Sequence, residues 1–570
     1  MKLRFNNLLC FAFMFLAAPT MSFALTNSRV YTIVDNTGSN PVYVQVFELN
    51  SDAKFTKAAS LTVSKSVNNT AGGFLSALTT SEFKTVTDLT VTGTIDARDF
   101  RVIRDSMTVL TMLDLSGANI IEYNGTEGTS GTGSTLYPAN EIPQYALYNS
   151  SYTTVKAFLT TVKMPLSTTS IGIYAFQNCR YLTTIDILPT IVSIGKSAFY
   201  NCTNLSSVFI PASVSYIGES AFMGYNLSYK VDSANTAFSS SDGILFDKSQ
   251  TTLIRYPNNK YGAYSIPSTV KTLSNLAFFA CNNLSDITLP LSLTSLGNQA
   301  FSYCKGISTI FIPSSVTTMG SYTFLSSSCQ FSVDENNPNF SGIDGLLFNK
   351  NKTVLMQCPT SKIGSYIIPS SVTSISYMGF QDCISLTAIT VPPTVTNLVY
   401  SVFKNCSGLT SFTIPSTVNS IGSYAFYNCS NLTSIYAFPT TATNLSTSSS
   451  VFYNINKSNC TLYVPKNSKA LYQTATQWAD FNNIIEMTTA IPTLLDSKIN
   501  IYPNPIHESF SIHGLTESVN IKLTDINGKQ VVNCQVGVGE TVKVGELAKG
   551  MYIVRITTIE GTMERKMIKE

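Results

Sequence analysis

The chain has 570 residues, too many for one compact core, because single cores stop growing near about 250–300 residues. Charged residues make up 12%, and 36 Lys+Arg against 33 Asp+Glu leave a net charge of +3 with no basic or acidic block, so nothing indicates a nucleic-acid partner. The only two histidines, His507 and His513, lie near the C-terminus. The chain before them lacks the commonest general base and metal ligand, which excludes most hydrolase triads and histidine-based metal sites there.

The N-terminus has the pattern of a secretory signal peptide. Lys2 and Arg4 form a positive start, residues 8–18 an apolar stretch, and residues 22–24 a small-residue cleavage site before Leu25. The apolar stretch is shorter than the roughly 20 residues of a membrane-spanning helix. We therefore predict a signal peptide at residues 1–24, an exported mature chain with no transmembrane segment, and an N-terminal segment at residues 25–85.

The middle of the chain repeats. Ala175-Phe176 precedes Cys179 as Ala198-Phe199 precedes Cys202, and the same cysteine spacing of 23 residues separates 281 from 304, 383 from 406 and 406 from 429. A longer period of 102 residues joins cysteines 179, 281 and 383. The longer period arises from two islands, at about residues 229–262 and 331–364, which we predict to be hairpins set into the array.

Each repeat contains a strand pattern. Ile185 and Ile187 alternate with Thr184 and Asp186, which predicts apolar side chains facing inward and polar ones facing outward, and proline commonly ends the strand. One coil cannot bury its apolar side alone. The pattern therefore predicts a repeat solenoid with one parallel strand per unit of about 23 residues and an irregular or short helical back, where Ala, Phe and Cys fill the interior.

These residues resemble the BspA-type leucine-rich repeat family, over about residues 60–487. Residues 89–100 and 113–116 resemble its N-terminal cap, and residues 460–481 resemble its closing segment. Known members are bacterial surface adhesins, so the resemblance implies binding to host matrix or cell-surface proteins. Tyr225 and Ser327 depart from the repeat cysteine, and residues 124–134 form a Gly/Thr/Ser insertion that we predict to be a mobile loop.

The last 72 residues, 499–570, differ in texture, and residues 488–498 are predicted to be a linker. Alternating strands and an Asn527-Gly528 turn predict a small antiparallel β-sandwich. Residues 502–505, 525–529, 547–552 and 566–569 resemble the C-terminal sorting domain of the type IX (Por) secretion system. The resemblance implies contact with that secretion machinery and a protein secreted from, or displayed on the outer membrane of, a Gram-negative bacterium. The alternative is a plain C-terminal sandwich.

The cysteines and island carboxylates have structural explanations. Seven cysteines share one repeat position, which favours a ladder of buried thiols over disulfides. A zinc site is not indicated, because the chain has no Cys-x-x-Cys pair and no histidine near these cysteines. Acidic residues in the islands could offer oxygen ligands to calcium, but their spacing does not fit an EF-hand, and Asp-Gly pairs commonly form turns; the residues are Asp232, Asp242, Asp334, Glu335 and Asp344. We predict no metal and no cofactor.

The outward positions of the strands form the best candidate binding surface. They are rich in hydroxyl groups, nearly uncharged and interrupted by aromatic residues; the predicted ligand-face residues are Thr184, Asp186, Ser207, Phe209, Thr309, Phe311, Ser434, Tyr436 and Tyr463. Exposed aromatics are enriched at protein-binding surfaces, although Thr and Phe also simply favour strands.

We therefore expect a leucine-rich repeat array at residues 86–487 that binds host or cell-surface proteins through the concave sheet of the solenoid. The alternatives are a carbohydrate-binding surface protein, because aromatics among hydroxyls suit sugar rings, and a structural surface component. An enzyme is the weakest option, because the array lacks histidine, a phosphate-binding glycine loop and paired carboxylates. No catalytic residue is predicted.

Overall fold

The computed structural model describes residues 62–131, 133–148, 159–224, 227–487, 500–502, 506–513, 515, 518–525, 529–558 and 561–570. Before residue 62 it gives the course of one antiparallel sheet, with strands Met21–Leu25, Val30–Asp35, Phe47–Leu49 and Phe55–Lys57. The rest of the predicted signal peptide and the predicted linker lie outside the described residues. The chain divides into two compact units, residues 1–259 and 260–570.

From residue 62 the first unit has three strands of 6, 8 and 9 residues and a helix of 10 residues. Ser64–Asn69, Asp88–Ile95 and Met112–Ile120 pair in parallel, and the helices between them are Phe74–Ala77, Thr80–Thr85 and Ala97–Ser106. Asp96 caps the N-terminus of the last helix, and the buried Asp99 carboxylate accepts amide hydrogens from Gly72 and Phe74. Because the Asp99 carboxylate gives these two backbone amides an acceptor, this segment can cover the start of the array as a cap.

Each following coil contributes one strand to a series of short parallel sheets, and we call the strands of this series in each unit its first sheet. In the first unit these strands are Thr161–Lys163, Thr184–Ile185, Ser207–Ile210 and Ser228–Val231. In the second unit they are Gly262–Ser265, Leu284–Thr288, Thr309–Ile312, Gln330–Val333, Gly364–Ile367, Leu386–Thr390, Ser411–Ile414, Ser434–Ala437, Thr461–Val464 and Asn483–Glu486. Their pairings are parallel, which confirms the predicted solenoid of stacked coils.

A second, very short strand lies on the other side of most coils, and we call this series the second ladder. Its members in the first unit are Glu141–Ile142, Ser170–Ile171, Ser193–Ile194 and Tyr216–Ile217. In the second unit they are Thr272–Leu273, Ser295–Leu296, Thr318–Met319, Ser374–Ile375, Asn397–Leu398 and Ser420–Ile421. Adjacent coils approach so closely here that a Cβ on Gly195 would lie 2.7 Å from the backbone of Gly172, which explains the glycine after the isoleucine.

The turn after the second ladder fills the interior with phenylalanine. The rings of Phe176 and Phe199 stack at 4.9 Å, and those of Phe278 and Phe301 at 5.0 Å. The residue before the repeat cysteine has a positive φ, as at Asn428 (60°), a conformation that asparagine tolerates. Because of this turn, the Asn428 Nδ2 donates to Asn405 Oδ1 of the preceding coil at 2.9 Å.

Both islands are hairpins, as predicted. The first contains Phe238–Ser241, Ile244–Asp247 and Thr252–Arg255, and the second contains Phe340–Ile343, Leu346–Asn349 and Val354–Gln357. In each, an aspartate with positive φ and a glycine make the tight turn. A buried asparagine, Asn235 or Asn337, joins each island to the coil before it.

Two local features complete the array. Residues 124–134, predicted to be a mobile loop, lie within a hairpin of Tyr123–Gly125 and Thr135–Tyr137, because the stacked Tyr123 and Tyr137 rings, 6.0 Å apart, hold its base. At the closing segment, helix Lys469–Thr474 and Trp478 cover the last coil. The buried Trp478 Nε1 donates to the Thr443 carbonyl at 2.9 Å, which agrees with the predicted terminal cap.

The C-terminal residues form two antiparallel sheets around an apolar core. One sheet contains Asn500–Tyr502, Ser509–His513 and Thr541–Lys543, and the other contains Gln530–Val536, Val519–Asp525, Gly550–Thr558 and Gly561–Lys569 in that order. The predicted sandwich is therefore confirmed. Residues 503–505 and the Asn527-Gly528 turn lie outside the described residues.

Candidate functional site

The outward positions of the first sheet form one surface in each unit, and we call it the strand face. Strand Ser207–Ile210 shows the rule: Ser207 and Phe209 are exposed, and Val208 and Ile210 are buried. All nine predicted residues follow it. Thr184, Asp186, Ser207, Phe209, Thr309 and Phe311 are exposed, and Ser434, Tyr436 and Tyr463 are half-buried.

In the first unit the strand face carries charges. Lys163 Nζ bonds to Asp114 Oδ2 of the neighbouring strand at 2.9 Å. Burial raises the pKa of Asp114, but the hydrogen bonds from Lys163 and Ser116 outweigh it and leave that pKa below its ordinary value. Phe209, 46% exposed, pairs in register with the exposed Lys230. The aromatic ring here thus has a cationic neighbour.

In the second unit the strand face is almost free of charge. Its ten strands each present two outward positions, and Asp286 is the one charged residue among these twenty. The twenty are Ala263, Ser265, Asp286, Thr288, Thr309, Phe311, Gln330, Ser332, Ser365, Ile367, Ala388, Thr390, Ser411, Thr413, Ser434, Tyr436, Thr461, Tyr463, Asn483 and Ile485. A partner at this surface would be recognised by shape, hydroxyl and amide groups and apolar contact rather than by ion pairs.

Three apolar spots interrupt this hydroxyl-rich surface, and one of them is Ile367, which is 71% exposed. Phe311 is 49% exposed and pairs in register with Ser332. Near the last coils, the rings of Tyr436 and Tyr463 stack in parallel at 4.7 Å beside the exposed Ile485. Large exposed apolar side chains on a rigid sheet are suited to be anchors in an interface, because they lose little entropy on binding.

Sequence reasoning missed strands that also belong to this face. Ser228–Val231 and Gln330–Val333 open the islands, and Gly262–Ser265 and Gly364–Ile367 follow them. They add the exposed Lys230 and Ile367 to the surface. The period-2 alternation was present in each segment, but no cysteine stood at the repeat position before it.

The repeat cysteines are interior residues, as predicted. All seven are buried, and none of the seven forms a disulfide. The Cys406 Sγ donates to the Phe380 carbonyl at 3.0 Å, and Cys429 Sγ donates to the Phe403 carbonyl at 3.1 Å. Burial raises the pKa of Cys429 to about 12, so the thiol stays protonated at neutral pH.

The island carboxylates serve turns. Asp232 Oδ1 accepts the Ala234 amide at 2.9 Å, and Asp334 Oδ1 accepts the Asn336 amide at the same distance. Asp242 and Asp344 occupy the tight hairpin turns. Within the described part of the chain, no three His, Cys, Asp or Glu side chains come together as a metal site would require. In the same residues no helix has the length and apolar character needed to cross a membrane.

Comparison of the sequence with protein families gives two matches. Residues 140–262, 255–355 and 351–479 match the BspA type leucine-rich repeat region, a family defined over six repeat copies. Residues 500–570 match the secretion system C-terminal sorting domain. No curated protein matches the chain.

Several solved structures are similar in fold. A leucine-rich repeat protein from Eubacterium ventriosum is 19% identical, with a TM-score of 0.41, and the match covers 72% of this chain and 95% of that one. The pneumococcal vaccine antigen PcpA is 17% identical, with a TM-score of 0.33, over 83% of this chain and 100% of that one. A leucine-rich cell surface protein from Faecalibacterium prausnitzii is 19% identical, with a TM-score of 0.36, over 84% and 97%.

Proposed function

The chain belongs to the BspA-type leucine-rich repeat family and is an exported surface protein with a C-terminal sorting domain, and we propose that it is a binding protein that recognises host or cell-surface proteins through the strand face. The proposed site of action is the outer surface of a Gram-negative bacterium, or the medium around it. The observation that carries this proposal is the exposed Phe311 on a nearly uncharged, rigid sheet.

Several features of the strand face support protein recognition. Phe209 and Phe311 occupy equivalent positions 102 residues apart. Each ring is about half exposed, although exposing an aromatic ring to water is energetically unfavourable. Within each unit the parallel pairing of neighbouring strands holds the anchor in place, so binding there would cost little ordering entropy. Recognition would proceed through many weak contacts and no catalytic step, with the secretion machinery engaging residues 499–570 as a separate partner.

The proposal is tested by immobilising the mature chain and measuring its binding to panels of matrix proteins, cell-surface proteins and glycans. The double variant Phe209→Ala, Phe311→Ala should weaken binding of the recognised protein by about tenfold or more, since truncating an anchor commonly costs at least 1–2 kcal/mol. Thr288→Ala, Thr390→Ala on the same face serves as the matched control. Both sites are exposed, so each variant should unfold at nearly the wild-type temperature.

The other outcomes distinguish the alternatives. Soluble glycans that compete with the bound protein, or that bind alone, would favour the hypothesis of a carbohydrate-binding surface protein. Ordered self-assembly of the purified chain with no ligand would favour a structural surface component. Undiminished protein binding by the double variant would move the site away from the strand face.

A further inference from the structure

A cleft of about 360 Å³ lies in the second unit, where the second island interrupts the second ladder. Its walls include Met319, Tyr322, Phe324, Met356, Gln357 and Tyr377, and no charged side chain lines it. The volume falls within the roughly 300–1,000 Å³ that ligand sites occupy. Its lining residues are separate from the strand face.

The cleft exists because one rung of the ladder is missing. Thr318–Met319 is the last strand of its sheet, while Ser374–Ile375 pairs with Val354–Gln357 of the island hairpin instead. The hairpin therefore takes over the ladder without pairing with Thr318–Met319. An open edge of this kind is a template for another strand.

The residues at this edge have hydrogen-bonding groups that other coils satisfy. In those coils the phenylalanine amide donates to the following coil: Phe301 to the Thr323 carbonyl at 2.7 Å, and Phe403 to the Ala425 carbonyl at 2.9 Å. The equivalent amide of the buried Phe324 has no acceptor in the described chain, and neither has the Tyr322 amide.

The cleft also contains hydrogen-bond acceptors that have no donor in the described part of the chain. The Leu296 carbonyl accepts the Gly320 amide at 2.8 Å, but the equivalent Met319 carbonyl has no following strand. Across the cleft, Gln357 is only 6% exposed and its Nε2 donates to the Cys358 carbonyl, whereas its Oε1 has no donor within the described residues. Amides, carbonyls and one amide side chain thus face the same uncharged space.

We infer that this cleft binds a short, uncharged peptide segment in the turn conformation that residues 422–426 adopt, with a positive φ at its central residue, which completes the missing rung through main-chain hydrogen bonds. The segment would give carbonyls to the Tyr322 and Phe324 amides and an amide to the Met319 carbonyl. Met356 and Phe324 offer an apolar wall for one of its side chains. The two amides and the carbonyl pair in other coils with the main-chain groups of a peptide turn, and a sugar or an ion does not carry this set of groups.

The chain itself provides the probe. Residues 422–426, Gly-Ser-Tyr-Ala-Phe, form this rung elsewhere: Gly422 donates to the Leu398 carbonyl at 2.7 Å, and Ser423 and Ala425 accept from Ser401 and Phe403. A capped peptide of this sequence should bind the full mature chain. Hydrogen exchange at Tyr322 and Phe324 should slow on binding, because their amides gain acceptors.

Three controls make the test specific. N-methylation of the glycine in the peptide removes the donor to Met319 and should weaken binding by about tenfold, the effect of losing a buried hydrogen bond. Met356→Trp fills the cleft and should abolish binding, whereas Thr413→Trp adds the same ring on the strand face and should not. Tyr322→Ala, Tyr377→Ala, which removes two exposed rings, should weaken binding without filling the cleft.

Absence of peptide binding at millimolar concentration, equal binding of the N-methylated peptide, or protection from exchange at other residues would each overturn the inference. Phe209→Ala, Phe311→Ala should leave the peptide affinity unchanged. The peptide site and the strand face therefore stand or fall separately.

Discussion

At the scale of single residues, two buried asparagines bind the islands to the array. The Asn337 Nδ2 donates to the Pro313 and Val316 carbonyls at 2.8 and 3.0 Å, and its Oδ1 accepts the Asn339 and Phe340 amides. Asn235 makes the same four bonds 102 residues earlier. Both side-chain amides are 0% exposed and have all four hydrogen bonds, so they fix the position of each island as an apolar residue could not.

Asn337→Ala should lower the free energy of unfolding by about 3 kcal/mol, because it removes four hydrogen bonds of a buried amide and leaves the Val316 carbonyl and the Asn339 and Phe340 amides without that partner. Asn336→Ala, at the exposed neighbouring position, should change it by less than about 0.5 kcal/mol. Chemical denaturation monitored on the mature chain gives both values. Equal stability of the two variants would show that the buried amide does not fasten the island.

The buried thiols lead to a second residue-scale prediction. Of the eleven cysteines after Cys10, ten are buried and Cys534 is partly exposed. Burial raises the pKa of Cys460 to about 11 and that of Cys429 to about 12, which keeps both thiols protonated and unreactive. Titration with a thiol reagent at pH 8 should modify about one thiol in the native mature chain and about eleven after denaturation. Detection of several cystines by mass spectrometry would contradict this.

At the scale of elements, the strands of the consensus repeat were predictable, whereas the second ladder and the strands that flank the islands were not. The strands, their inward and outward sides and the islands followed from period-2 alternation and the 23- and 102-residue periods. The second ladder was missed because strands such as Ser170–Ile171 span two residues, too few to show any period. The mobility predicted for residues 124–134 stays a prediction, and the Tyr123–Tyr137 stack at the base of this insertion was not visible in its composition.

The same limit applies to the candidate site. The exposed positions of each consensus strand were predictable, whereas the edge groups of the cleft depend on which coil follows Thr318–Met319. Which strand follows Thr318–Met319 depends on how the island hairpin packs against the coils. Backbone amides leave no trace in a sequence, so an interrupted rung is visible only in the structure.

One capping element gives a pH dependence. Thr79 and Glu82 form a capping box on helix Thr80–Thr85, and Lys65 Nζ lies 2.5 Å from Glu82 Oε1. The hydrogen bond from Lys65, followed by those from Thr79, lowers the pKa of Glu82 from 4.5 to about 2. Because the folded-state pKa is lowered, this stabilisation is present above pH 4.5 and is lost as the pH falls towards 2.

Glu82→Gln should therefore flatten the dependence of unfolding temperature on pH between about 4.5 and 2. Lys65→Met should remove part of the same dependence, since it leaves the capping box intact. Thermal unfolding measured across this pH range tests both. An unchanged acid profile in Glu82→Gln would mean that other carboxylates dominate acid unfolding.

At the scale of the whole molecule, the chain combines an exported repeat array with a sorting domain. Stacked coils give many equivalent outward positions on rigid strands, so a surface can vary in side chains while the interior stays constant. The two islands repeat at 102 residues and carry the same features each time, namely a hairpin, a stapling asparagine and added strand-face positions. This arrangement supports the proposed recognition of a protein through the strand face.

The most direct test is a hydroxyl-radical footprint of the mature chain with and without its bound protein, because aromatic side chains report their own solvent exposure. We expect the oxidation of Phe311, Tyr436 and Tyr463 to fall on binding, while that of the exposed Tyr261 and Tyr502, outside the strand face, stays the same. Unchanged oxidation of all three strand-face rings in the bound state would contradict the account.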